Sequence, residues 1–270
     1  MNNGVPIPQV GLGVWQAEEG AEVEGAVRAA LQCGYRLIDT AAIYGNEVGV
    51  GKAIRDSGVS REEIFLTTKL WNAHHAYDAA LRAFDESMDK LDCGYIDLYL
   101  IHWPLPMDGL FPQAWKAMEK LLHDGRVRSI GVSNFKPPHL DTLLQEAEIV
   151  PSVNQIELHP MLQQKETRDY CNSRGIAIES YSPLMRGGEA LEHPVISQIA
   201  AQHGKTAAQV ILRWHVQSGF IVIPKSVKPD RIRENLALFD FQLSPEEMQN
   251  IAGLDVNGRI GADPDIADFK

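Results

Sequence analysis

Four residues of this chain have the types and positions needed to move a proton onto a bound molecule: Asp39, Tyr44, Lys69 and His102. Three of them end runs of β-branched and apolar residues, in RLIDT (36–40), IFLTTK (64–69) and IDLYLIH (96–102), and Tyr44 lies just past the first run. A phenol has a reference pKa near ~10, and a cation held beside it favours the ionised form. Lys69 next to Tyr44 is therefore expected to make the phenol a better acid near neutral pH. Asp39 supplies the partner that an ammonium on a buried strand requires. A neutral His102 would donate a hydrogen bond to a carbonyl oxygen and stabilise that oxygen as it gains charge. Taken singly, an Asp can be a helix cap, a Lys a solvated charge and a His a structural hydrogen-bonding group. Their joint placement at strand ends is what singles them out.

No residue offers itself as the nucleophile. The chain has no GxSxG elbow, no HExxH pair and no cysteine in an activating setting, so a cofactor carrying hydride is the economical source. His74 and His75 are the only adjacent histidines, and a metal-assisted hydrolase would need further ligands beside them, so no metal is expected.

The elements that must position these groups recur along the whole chain. Eight strand candidates stand at 10–15, 36–40, 64–69, 96–102, 129–134, 152–158, 177–182 and 220–226. Between them lie helical segments such as AEVEGAVRAALQCG, in which Val23, Val27, Ala30 and Leu31 share a face and Gly34 supplies a stop. YDAALRAFDESMDKL, FPQAWKAMEKLLHDG and TAAQVILRWHVQSG repeat the pattern. Alternating strands and helices imply crossovers and a parallel sheet, and eight such units close into a (β/α)₈ barrel. A single α/β domain over residues 1–270 follows, with MNNGVPIPQ as a short cover on one barrel end and the C-terminal VNGRIGADPDIADFK as a tail over the other. Barrel sites lie at the carboxyl ends of the strands, and every proposed strand carries a residue fit for recognition or chemistry at its carboxyl end or in its carboxyl half: Trp15, Asp39, Lys69, His102, Ser133 with Asn134, Gln155, Tyr181 with Ser182, and Lys225 with Ser226.

Two glycine patterns argue against other nucleotide folds. Gly11 and Gly13 lack the third glycine of a dinucleotide fingerprint, and they read as backbone adaptation around Trp15. Gly49-Val50-Gly51-Lys52 resembles the end of a phosphate loop, but the spacing from Gly45 is too long and Ala53 stands where Ser or Thr belongs. A net charge of −11 repels nucleic acid. No apolar run reaches the ~18 residues of a membrane span, and the amino terminus shows no targeting pattern. Cys33, Cys93 and Cys171 fit neither a disulfide framework nor a metal knuckle and read as packing residues in a reducing compartment, so a cytoplasmic location is expected, and with it a monomer. The exception to the acidic charge is KSVKPDRIR after the eighth strand, where Pro229 favours a helix start and Arg231 could fork onto a phosphate.

The segments GYRLIDTAAIYGNEVGVG, IFLTTKLWN, IDLYLIHWP, SIGVSNF, VNQIELHP and IPKSVKPDRIRENL resemble, in order and spacing, the motifs of the aldo-keto reductases, and the likeness covers essentially the whole chain. Within the family, the chain resembles compact bacterial members such as the 2,5-diketo-gluconate and methylglyoxal reductases. The resemblance implies the tetrad Asp39, Tyr44, Lys69 and His102 and the cofactor NADPH. It implies Ser133, Asn134 and Gln155 on the nicotinamide carboxamide, Tyr181 stacked on the ring, and Ser182 and Leu184 along the pyrophosphate. At the adenosine end it implies Lys225, Ser226, Val227, Lys228, Arg231, Glu234 and Asn235. Lys228 stands where close relatives can carry Arg. Trp15, Trp71, Trp103 and Phe111 are candidate pocket walls with His102, and the brief segment after Trp103 suggests an open pocket for small polar carbonyls. Reduction of an aldehyde or ketone is the expected activity. A nicotinamide-binding regulatory subunit with little turnover is the alternative, against which the complete tetrad argues.

Overall fold

The computed structural model describes all 270 residues, and each of the eight apolar runs contributes one parallel strand. These are β1 (Leu12–Gly13), β2 (Leu37–Asp39), β3 (Phe65–Leu70), β4 (Ile96–Ile101), β5 (Val127–Ser133), β6 (Val153–Glu157), β7 (Ala177–Tyr181) and β8 (Ile221–Val222). They pair in chain order, and bridges from Val10 to Val222 and from Gly13 to Lys225 join the last strand to the first. The sheet thus curls into a barrel.

Ten helices surround it: α1 (Ala21–Cys33), α2 (Glu47–Arg55), α3 (Tyr77–Leu91), α4 (Phe111–His123), α5 (Pro137–Leu144), α6 (Lys165–Ser173), α7 (Pro194–His203), α8 (Ala207–Gln217), α9 (Pro229–Leu236) and α10 (Pro245–Ala252). In α1 the buried stripe Val23, Val27, Ala30 and Leu31 follows the spacing of one helix face. Gly34 ends the helix at φ 102°, a left-handed value that other residues adopt only with strain.

Strand alternation divides the apolar residues into two cores. Outward residues such as Ile38, Leu66, Tyr99 and Ile130 join the large cluster beneath the helices. Inward residues Leu37, Phe65, Leu98, Leu100, Val153, Ile221 and Ile223 form a separate cluster, against which Met1, Val5 and Ile7 pack. Asn2 donates to the Pro151 carbonyl at 3.0 Å and Asn3 to Ser129 Oγ at 2.9 Å. Continuing along the same inward faces, one or two alternations further, come Asp39, Lys69, His102, Gln155, Glu179 and Tyr181. One end of the interior is apolar and the other polar.

The glycines differ from the expectation. A Cβ on Gly13 would lie 2.8 Å from the Ile223 carbonyl oxygen, and one on Gly11 would lie 2.4 Å from Leu37 Cγ. These glycines answer to close backbone and side-chain approach at the barrel seam, not to Trp15. Gly51 lies inside α2, where a Cβ would lie 1.9 Å from the Leu91 carbonyl oxygen, so the GVGK sequence serves helix packing.

Candidate active site

Asp39 is the last residue of β2, and the β2–β3 register sets it beside Thr67. Lys69, two residues on, points to the same inward face. Its Nζ donates to Asp39 Oδ1 at 2.6 Å and to the Thr40 carbonyl at 2.8 Å. A single 3₁₀ turn, Ala42–Tyr44, follows β2 and brings the Tyr44 hydroxyl to 3.5 Å from the same ammonium. His102 follows β4, its ring centroid 5.8 Å from that of Tyr44 in an edge-on arrangement. The four residues therefore meet, with Lys69 wholly buried at the centre.

Burial governs the protonation states. It pulls the Lys69 ammonium down, but Asp39, Tyr44 and Glu179 outweigh it, so the group stays charged. Burial pushes the Asp39 carboxyl up, opposed by Lys69 and by the hydrogen bond from Gln155. The Tyr44 phenol is raised above its ordinary value, chiefly by burial, with Lys69 opposing. This corrects the expectation of a lowered phenol: removal from water penalises the phenolate more than a cation already paired with Asp39 can offset. Tyr44 is thus held as the protonated acid. Burial, followed by Lys69, holds His102 well below the usual imidazole range, so it is neutral. Its Nδ1 is buried without a partner, which leaves Nε2 to face the cleft.

A cavity of about 1120 Å³ opens over these residues and runs to the basic cluster after β8. Ser133, Asn134, Gln155 and Tyr181 line its middle and are tied together. Ser133 Oγ donates to the Gln155 carbonyl at 2.9 Å, Asn134 Nδ2 to the His102 carbonyl at 3.0 Å, and the Tyr181 hydroxyl to Asn134 Oδ1 at 2.7 Å. Asn134 and Ser182 take left-handed backbone at φ 65° and 49°, a conformation that Asn accommodates more readily than Ser. Leu184, Lys225, Ser226, Val227, Lys228, Arg231, Glu234 and Asn235 line the far part. There α9 begins at Pro229, so its first free N–H groups add to the positive charge of Lys228 and Arg231.

At the other end Trp15, Trp71 and Trp103 border the opening. Phe111 does not. It is buried at the start of α4 with its ring 5.2 Å from Phe135, because it continues the helix's apolar stripe through Ala114, Trp115 and Met118. Three further lining residues were not anticipated. Phe269 stacks on Trp71 at 6.0 Å and meets Trp103 edge-on at 5.0 Å, its carbonyl accepting from Asn72 Nδ2 at 2.8 Å. Ile43 borders the same opening, and Arg186 places its guanidinium 4.5 Å from the Trp15 ring centre. The aperiodic tail gave no signal for Phe269, whereas Ile43, next to Tyr44, could have been included by position.

His74 and His75 form no metal cluster, and no group of three or more potential ligands is arranged for one. No helix is long and apolar enough to cross a membrane.

The chain's likeness to known proteins is extensive. It is 52% identical to the glyoxal reductase of Bacillus subtilis, covering 98% of this chain and 95% of the relative. With methylglyoxal reductase DkgA of Escherichia coli it shares 48%, covering 98% and 96% of the two chains. The crystal structure of a Gox0644 mutant in complex with NADPH superposes with a TM-score of 0.91 at 48% identity, over 97% of this chain and 95% of that one. The family model described as Aldo/keto reductase family matches residues 9–256. On this agreement of motif order, barrel and family match, the chain belongs to the aldo/keto reductase family.

Proposed function

We propose that this chain is a single-domain, NADPH-dependent reductase of small aldehydes and ketones, with Tyr44 as proton donor. The observation that carries the proposal is the meeting of Tyr44, Lys69, Asp39 and His102 at the floor of a cleft whose far end holds the cluster Lys225 to Arg231. The residues fit the cofactor. Arg231 and Lys228 with the α9 N-terminus suit a 2′-phosphate, Ser182 and Leu184 border the pyrophosphate path, and Tyr181 with Ser133, Asn134 and Gln155 suits the nicotinamide. NADPH, when bound, supplies the hydride.

The rest falls to the chain's own residues. The Nε2–H of neutral His102 donates to the substrate oxygen and orients the carbonyl. The Tyr44 hydroxyl gives its proton to that oxygen as negative charge develops, and the adjacent Lys69 ammonium stabilises the phenolate left behind. Asp39 fixes the ammonium. Trp15, Trp71, Trp103 and Phe269 exclude water from the reacting carbon.

Substrates proposed are small polar carbonyls: methylglyoxal, diketo-sugar acids and β-keto esters. The names of the similar glyoxal and methylglyoxal reductases support the first of these. The N-terminal segment is proposed as a plug on the apolar barrel end and the tail as a wall of the substrate opening, supported by the contacts of Met1, Val5 and Ile7 and of Phe269. A cytoplasmic location is proposed, in keeping with three unpaired cysteines, and the chain is proposed to be a monomer. The test is NADPH oxidation across these substrates and aromatic aldehydes, repeated with NADH and with Tyr44→Phe. The variant is expected to bind NADPH normally and to lose about 10²- to 10⁴-fold in kcat. Full turnover by Tyr44→Phe would remove Tyr44 from its role.

A further inference from the structure

Glu179 is a carboxyl group in the barrel interior that the proposed reaction does not use. It is fully buried on β7, and the β6–β7 register places it directly beside Gln155. The Gln155 carboxamide has two N–H bonds, and both are engaged: Nε2 donates to Asp39 Oδ2 at 2.8 Å and to Glu179 Oε2 at 2.9 Å. A reversed amide would set Oε1 against the Asp39 carboxylate, which has no proton to donate, so Asp39 fixes this orientation and Glu179 takes the second N–H. The Gln155 oxygen is thereby left for the cleft, which Gln155 lines.

We infer that Glu179 is a positioning residue: together with Asp39 it clamps the Gln155 carboxamide, so that Gln155 Oε1 is presented as an acceptor to the carboxamide N–H₂ of a nicotinamide. This role rests on the function proposed above. Four groups face Glu179 or interact with it across the interior: Gln155 from β6, Asp39 from β2, Lys69 from β3 and Tyr44 from the turn after β2, while β8 places the apolar Ile221 opposite. Burial pushes the Glu179 carboxyl up to about 8, with Asp39 reinforcing and Gln155 and Lys69 opposing. Its Oε1 is buried with no partner, which a neutral acid tolerates far better than a carboxylate. Near neutral pH the uncharged acid therefore accepts from Gln155 without competing with Asp39 for the single cation, Lys69.

The experiment measures NADPH affinity by fluorescence titration in wild-type, Glu179→Leu, Glu179→Gln, Gln155→Leu and Glu179→Leu/Gln155→Leu chains, alongside NMR of the Gln155 side-chain amide. Glu179→Leu is expected to weaken NADPH binding about five- to tenfold, the effect of misdirecting one buried hydrogen bond. Glu179→Gln keeps an acceptor and should retain affinity, and the Leu substitution should cost nothing further in the Gln155→Leu background. The two Gln155 amide protons should be protected from exchange and should shift as the pH is raised through about 8 in the wild type, but not in Glu179→Gln. The spectroscopic arm stands even if Glu179→Leu does not fold. Undiminished NADPH affinity in Glu179→Leu, or an unprotected Gln155 amide in a chain that does bind NADPH, would overturn the role alone. A protected amide in a chain that binds no NADPH would overturn the proposed function and the role with it.

Discussion

The Lys69 ammonium and the Asp39 carboxylate meet at 2.6 Å with their side chains 0% and 3% exposed. Two charges so placed hold each other in a medium that would tolerate neither alone. Lys69→Met should therefore destabilise the fold by about 3–5 kcal/mol, because it leaves Asp39 buried and unpaired. Asp39→Leu combined with Lys69→Met should recover much of that loss while activity stays absent. Urea denaturation beside NADPH-oxidation assays checks both parts. A double variant no more stable than the single one would show that packing, not the orphaned charge, sets the cost.

Stability should peak near pH 6.5. Burial holds His75 and His215 down to about 4 and His102 well below its usual range. Their neutral forms stabilise the fold above the unfolded pKa of about 6.5, and that contribution is lost as pH falls through the folded values. Glu179 acts in the opposite sense. Its raised value, about 8, means its contribution is full below the ordinary carboxylate range and declines as the pH rises to 8. Melting temperatures from pH 4 to 9 should rise, peak and fall, and Glu179→Gln should flatten the alkaline side and steepen the rise on the acid side, because the Glu179 contribution declines across both.

Arg231 lines the far end of the cleft at the first turn of α9. Arg231→Ala should raise Kd for NADPH by about tenfold or more, in keeping with a lost charge-assisted pair of about 1.5–3 kcal/mol, and leave NADH binding nearly unchanged. Titration with both cofactors measures the ratio. Equal losses for the two would place Arg231 away from the 2′-phosphate.

Phe269 joins the tail to Trp71 and Trp103. Phe269→Ala should raise KM for small carbonyls several-fold, leave NADPH affinity unchanged and lower Tm by only a few degrees, since the residue is 38% exposed. Steady-state kinetics and a thermal melt decide it. A changed NADPH affinity would point to a wider role for the tail.

The barrel and its polar end were legible in the sequence because both follow from local pattern. Period-2 alternation in FLTTK and IDLYLIH fixes which residues face inward, and strand ends identify Asp39, Lys69 and His102 without knowledge of any contact. The same logic reached Gln155, Tyr181 and the cluster from Lys225 to Arg231. It did not reach properties that depend on distance between remote segments. Whether Tyr44 would be raised or lowered turned on the balance of burial against Lys69, and Phe111 went to the core because its helix stripe, not its position after Trp103, determines its direction. Phe269 reaches the opening only through the path of an aperiodic tail, and Glu179 meets Gln155 only through the β6–β7 register. Periodicity orients a side chain relative to its own strand; desolvation and hydrogen-bond partnership depend on what other strands bring to the same point, and the closed barrel alone decides that.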